Sequence, residues 1–210
     1  MFGGIMFDLD GTRWDSVSGV TKSWNIGILD KKVGRDPLTE EDVRAGMGKT
    51  LPDIAAILFP MLPRPQQLEV MDHCCQVEND YLAKNGAHVF PGVAETLEAL
   101  SIQHPLFVVS NCQDGYIEAF FEGTGMGKYF TDYECAGRTG KLKAENIALV
   151  VRRNGLQNPV YVGDTLLDCQ SAREAGVPFI HAAYGFGKVE DVPAIHTFAD
   201  LPKMLEELGE

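Results

Sequence analysis

Two carboxylates one residue apart, Asp8 and Asp10, close the apolar run Ile5-Met6-Phe7 and lead into a Gly11-Thr12 turn. Such a run reads as a buried strand, and Gly-Thr marks a sharp turn at its end. Acids there are costly unless a cation or a reaction uses them. Other apolar runs end in the same way. Pro105 to Val109 is closed by Ser110-Asn111, and Pro159 to Val162 by Gly163-Asp164, with Asp168 one helical turn later. A lysine, Lys141 or Lys143, opens the helix before that last strand. In a doubly wound sheet, the carboxyl ends of the strands converge on one crevice. The set is then three or four carboxylates, a hydroxyl and an ammonium, with no His or Cys. Oxygen-only donors select a hard cation, and Mg2+ is the commonest choice. Mg2+ beside a Ser and a Lys suits phosphoryl transfer, where positioning and charge neutralisation dominate.

The elements that would position these residues follow from periodicity. Helices alone are expected from Asp15 to about Asn85, with Val17, Val20, Trp24 and Ile28 on one face of the first. Thr39-Glu40-Glu41-Asp42 is a capping-box-like start. Pro52 to Phe59 reads as a short helix and Pro65 to about Lys84 as a longer one, ended by Gly86. After Phe90-Pro91-Gly92-Val93, strands and helices alternate, with strands at Pro105 to Val109, Tyr133 to Ala136, Pro159 to Val162 and Pro178 to His181. His196 to Phe198 is expected as an edge strand, and Leu201 to Leu208 as a last helix. The alternation predicts an α/β fold, a doubly wound and mostly parallel sheet with helices on both faces. The helical block after the first strand is too long for a crossover and reads as an insert.

Asp-x-Asp-Gly-Thr, Ser-Asn, a lysine and Gly-Asp-x-x-x-Asp, in this order on these elements, resemble the four motifs of the haloacid dehalogenase-like hydrolase superfamily. The resemblance covers the whole chain. It implies a Rossmann-like core of residues 1–14 and 88–210 and an α-helical cap of residues 15–87, as in phosphoglycolate phosphatase-like members. It also implies roles. Asp8 is the expected nucleophile, forming an aspartyl-phosphate, and Asp10 the general acid and base. Thr12 orients Asp10, and Ser110, the Asn111 amide and Lys143 bind phosphoryl oxygens. Asp8, Asp164, the Asp10 carbonyl and Asp168, as ligand or as partner of a ligand, surround Mg2+. The superfamily's lysine is often followed by proline. Neither Lys141 nor Lys143 is, and Lys143 is favoured because Lys-Ala-Glu-Asn-Ile leads into the helix.

Asp10 narrows the reaction. Dehalogenases lack that acid because a halide leaves without a proton, and phosphonatase-like members lack it too. The expectation is a Mg2+-dependent phosphatase of small phosphate monoesters, with a lid-like cap. A β-phosphoglucomutase-like phosphomutase and a catalytically silent phospho-ligand-binding protein are the alternatives. Arg44 and Lys49, in a glycine-flanked cap loop, are candidates for reading an anionic substrate. Trp14 and Trp24 are candidates for the hinge, or for core packing. Gly48-Lys49-Thr50 mimics the end of a phosphate-binding loop, but position 43 is Val where that motif needs Gly.

Composition sets the partners. The formal net charge is −12 and 45% of residues are hydrophobic. An acidic globular surface argues against nucleic acid and anionic membranes, and a small anionic substrate would need a local cation to offset the field. The small phosphorylated metabolite expected as partner is what the resemblance implies. Five cysteines without a CxxC pair form neither a disulfide framework nor a zinc site. With no leader-like segment and no apolar run near the roughly 20 residues of a membrane span, a cytoplasmic monomer or homodimer is expected.

Overall fold

The computed structural model describes residues 2–209. Six parallel strands form one sheet in the order β5-β4-β1-β6-β7-β8. They are β1 (Gly4–Phe7), β4 (Leu106–Ser110), β5 (Asp132–Cys135), β6 (Pro159–Gly163), β7 (Phe179–Ala182) and β8 (Ala194–Ile195). The chain starts at the centre, winds outward through β4 and β5, then returns to the other side of β1 for β6 to β8. The carboxyl ends of β1, β4 and β6 therefore lie side by side, in the register Phe7–Val108 and Phe7–Val162.

Every residue of β1 and β4 is buried. Strand alternation sends Ile5, Phe7, Val108 and Val162 to one face and Met6, Phe107, Val109 and Tyr161 to the other. The first face is covered by α5 (Val93–Gln103), α6 (Tyr116–Thr124) and α10 (Leu201–Gly209), through Leu97, Phe120 and Leu205. The second is covered by α8 (Lys143–Arg153) and α9 (Leu166–Glu174), through Ile147 and Ala172. A short helix, α7 (Ala136–Thr139), follows β5.

The first surprise is a two-stranded antiparallel ribbon, β2 (Trp14–Asp15) with β3 (His88–Val89), where only helices and loop were expected. It is too short to show periodicity, and its pairing partners are far apart in sequence. Between its strands lie α1 (Val17–Asp30), α2 (Glu40–Arg44), α3 (Leu51–Leu58) and α4 (Arg64–Asn85). The box at Thr39 forms, with the Thr39 side chain accepting from Asp42 N and Asp42 accepting from Thr39 N. The edge strand lies at Ala194–Ile195 rather than His196 to Phe198. Thr197 instead caps a 3-10 turn at Phe198–Asp200, a local hydrogen-bonding habit that competes with pairing. No helix among the described residues is long and apolar enough to cross a membrane.

Candidate active site

Asp8 is the first residue beyond β1, and its amide donates to Val162 O across to β6 at 2.9 Å. The turn that follows needs glycine at position 11. Gly11 has φ +73°, and a Cβ there would fall 2.2 Å from Asp164 Oδ2. Gly185 leaves room on the other side, where a Cβ would lie 2.3 Å from the Asp164 Cβ. The acids of β1 and β6 thus approach as closely as they do because two glycines flank Asp164.

Lys143, the first residue of α8, is 2% exposed. Its ammonium donates to Asp168 Oδ1 and pairs with Asp8 Oδ1 at 3.0 Å. Burial opposes its charge, but the Asp168 and Asp8 carboxylates outweigh burial and raise its pKa well above the usual lysine value. Asp168 is held from its other oxygen, which accepts from Thr165 N at 2.9 Å and Thr165 Oγ1 at 2.6 Å. Asp164 accepts from Thr12 Oγ1 at 3.2 Å and from the Phe186 amide at 2.8 Å. Thr12 therefore touches Asp164, not Asp10.

Asp10 is instead held by Ser16 and Tyr116. The Tyr116 hydroxyl donates to Asp10 Oδ1 at 2.8 Å, and Ser16 Oγ donates to the same oxygen. Burial pushes the Asp10 carboxyl up to about 6, and the Ser16 and Tyr116 hydrogen bonds oppose the rise. Asp164 is pushed up to about 8, first by burial and then by Asp168 and Asp8. Asp8 is raised by burial and by Asp168, against the pull of Lys143.

Carboxylate oxygens of Asp8, Asp164 and Asp168 lie within 4.8 Å of one another. Asp8, Asp10, Asp164 and Asp168 face two nearby cations, Lys143 and the fully buried Arg13, whose Nε donates to Asp8 O at 3.0 Å. Ionised together, these four carry two more negative charges than the two cations offset, which a divalent cation would neutralise. The donors are all oxygen, so the residues present fit Mg2+.

Ser110 ends β4 and, with Asn111, Asp8, Asp10 and Lys143, lines the cleft under the helical insert. The Asn111 amide reaches across to Gly48 O at 3.3 Å. Lys49 also lines the cleft, with its ammonium donating to Ala45 O. Arg44 does not line it. It is exposed, pairs with Asp15 at 3.2 Å and lies over the Phe186 ring. Lys141 is exposed. Trp14 is fully buried against Tyr116 and Phe120, within the ribbon itself. Trp24 faces the cleft and donates to Glu78.

Arg13, Glu78, Gln113 and Tyr116 join the site with no expectation from the sequence, and Ser16, which the sequence offers only as a cap of the first helix, holds Asp10. Glu78 left one trace, an acid on the otherwise apolar stripe Met71, Cys75, Leu82 of α4. Tyr116 left none, because it meets Asp10 across 106 residues.

The sequence pattern of the family described as haloacid dehalogenase-like hydrolase matches residues 5–182. The chain is 27% identical to phosphoglycolate phosphatase of Escherichia coli K12, over 90% of this chain and 84% of that one. It is 29% identical to phosphoglycolate phosphatase of Caulobacter vibrioides, over 95% and 89%. Among solved structures, a haloacid dehalogenase-like family hydrolase from Streptococcus pneumoniae superposes with TM-score 0.80 at 22% identity, over 99% of this chain and 97% of that one. CbbY from Rhodobacter sphaeroides, in complex with phosphate, superposes with TM-score 0.78 at 19% identity, over 96% of both chains. With its four motifs gathered at three neighbouring strand ends, the chain belongs to the haloacid dehalogenase-like hydrolase family.

Proposed function

We propose that the chain is a Mg2+-dependent phosphatase of small phosphate monoesters, working through an aspartyl-phosphate on Asp8. The observation that carries this reading is the buried Asp8–Lys143–Asp168 chain of charges beside Asp164. It holds one carboxylate oxygen beside an ammonium and a cluster suited to a divalent cation, which is what an anionic nucleophile needs against an anionic phosphate. Asp8, Asp164 and the Asp10 main-chain carbonyl would hold Mg2+. When bound, it supplies charge neutralisation of the phosphoryl oxygens. Asp168 serves by anchoring Lys143, one of its oxygens taking the ammonium and the other the Thr165 hydroxyl and amide.

In the first step an Asp8 oxygen bonds to phosphorus, the bond to the ester oxygen breaks, and Asp10 gives its proton to the departing alkoxide. A pKa of about 6 suits Asp10 to that exchange. In the second step Asp10 takes a proton from water, the water oxygen bonds to phosphorus, and the Asp8–phosphorus bond breaks to release phosphate. Ser110, the Asn111 side chain and Lys143 contact the phosphoryl oxygens. Residues 15–87 act as the cap that excludes water, hinged at the β2–β3 ribbon.

The test is hydrolysis of p-nitrophenyl phosphate with Mg2+. The wild type releases phosphate, and Asp8→Asn lowers kcat by at least about 10³-fold with an unchanged circular dichroism spectrum. Near wild-type turnover by Asp8→Asn would remove Asp8 as nucleophile. An inert wild type would favour a protein that only binds phospho-ligands.

A further inference from the structure

The cleft contains a titratable group that the two chemical steps leave unused. Glu78 sits on α4, is 3% exposed and lines the cleft on the cap side, opposite Asp8 and Asp10. Burying a carboxyl among the apolar residues of α4 is costly, and burial raises it to about 8. The cap has not replaced it with an apolar residue. Two donors meet it instead, one from the cap and one from the core. Trp24 Nε1 and Gln113 Nε2, the latter at 3.0 Å, both donate to Glu78 Oε2. Gln113 is itself braced by Asn79 Oδ1 at 3.0 Å, so the arrangement bridges α4 and the loop after β4. Both protein donors are spent on one oxygen. Oε1 takes no hydrogen bond from the described residues and is the atom left for a ligand.

Resting on the phosphatase reading, we propose that Glu78 is a specificity-determining residue whose free oxygen hydrogen-bonds a hydroxyl on the substrate's leaving group, so that the preferred substrates are phosphate esters of polyhydroxy alcohols. A hydroxyl both donates and accepts, so it pairs with Glu78 in either protonation state. A carboxylate on the leaving group accepts only. Buried in the cleft it would also bring a charge with no cation on the cap side to offset it, so it is the worse partner. Trp24 and Gln113 fix the carboxyl in place, which makes the free oxygen a rigid reader of the alcohol rather than a mobile surface group. Lys49, the cation on the cap side of the cleft, is turned onto Ala45 O and stays exposed, so among the described residues the cap side offers an anionic leaving group no buried cation, and Lys143 lies on the opposite side beside Asp8.

The experiment compares wild type, Glu78→Gln and Glu78→Leu on three esters: glycerol 3-phosphate, phosphoglycolate and p-nitrophenyl phosphate. The last carries neither a hydroxyl nor a carboxylate on its leaving group, so it reports how much folded, competent enzyme is present. Wild type is expected to show a kcat/KM at least tenfold higher for glycerol 3-phosphate than for phosphoglycolate. In Glu78→Leu, glycerol 3-phosphate loses at least tenfold, mostly in KM, while p-nitrophenyl phosphate stays within threefold. Glu78→Gln keeps an acceptor for Trp24 and Gln113 and turns an NH2 toward the cleft. It is expected to narrow the preference by raising phosphoglycolate hydrolysis. Equal losses on all three esters, or a preference unchanged by either variant, would overturn the assignment, as would a wild type that prefers phosphoglycolate. Absence of any hydrolysis by the wild type would instead strike the phosphatase reading itself.

Discussion

Lys143 and Lys141 stand two residues apart in the sequence, and their surroundings are unlike. Lys143 is buried between two carboxylates, whereas Lys141 is exposed and takes part in the fold through its backbone, its amide donating to Thr139 Oγ1 at 3.1 Å and its carbonyl accepting from Asn146 Nδ2 at 3.2 Å. Removing the Lys143 ammonium leaves Asp8 and Asp168 buried without a counter-charge, the expensive way to break an ion pair. Lys143→Ala is expected to lower kcat/KM by about 10²-fold or more, the size of losing one preorganised charge-stabilising group. Lys141→Ala is expected to stay within about threefold, as surface substitutions do. Steady-state kinetics on p-nitrophenyl phosphate would decide, and the reverse order would assign the phosphate-binding role to Lys141. Asp10 shows the same dependence on neighbours. Its Asp-x-Asp spacing is visible in the sequence, but Ser16 and Tyr116, which hold it, are visible only when α6 is brought against the first turn.

Among the elements, α9 ties stability to the site. Thr165 is its N-cap, and the reciprocal partner of the box is Asp168. One oxygen of Asp168 caps the helix and the other holds Lys143, so the first turn of α9 positions the lysine of α8. Thr165→Val keeps the shape and removes the hydroxyl. It is expected to cost about 1 kcal/mol in urea denaturation, the usual size of a lost cap. It should also lower kcat, because Asp168 becomes free to swing away from Lys143. A stability loss with unchanged kcat would separate the cap from the chemistry. The β2–β3 ribbon is the other element with a double role. It is two residues wide on each side, and the helices α1 to α4 enter and leave the core through it.

The molecule as a whole carries the cost of its charged crevice. Asp164 and Glu78 are each raised to about 8 by burial first of all, and Asp8 is raised as well. The unfolded chain ionises Asp164 and Glu78 near pH 4, while the folded chain holds their protons until near pH 8. Between those limits the unfolded state binds fewer protons, so stability falls as pH rises. Without divalent metal, the melting temperature is expected to be highest near pH 5 and to decline toward pH 8. Mg2+ binds the folded chain and needs deprotonated ligands, so it should raise the melting temperature more at pH 8 than at pH 5. Thermal scans in chelator and in Mg2+ at both pH values check this. An equal Mg2+ effect at the two values would mean that the acid cluster is not what binds it.

The alternation of the main strands and helices, the parallel sheet and the acids at its strand ends were determined by the sequence alone, whereas the β2–β3 ribbon and the place of the edge strand were not. Apolar runs, helix caps and turn glycines are local signals, and each motif is contiguous. The division of labour within the site was decided by tertiary structure. Which lysine is buried, that Thr12 serves Asp164, that Asp168 anchors Lys143, that Arg44 turns to Asp15 and that Glu78 lines the same cleft as Asp10 are all matters of approach across long stretches of chain. Burial and charge act through space, so no window of sequence contains them. Asp8 and Asp10 mark the site in the sequence, and their partners emerge only when the strand ends meet.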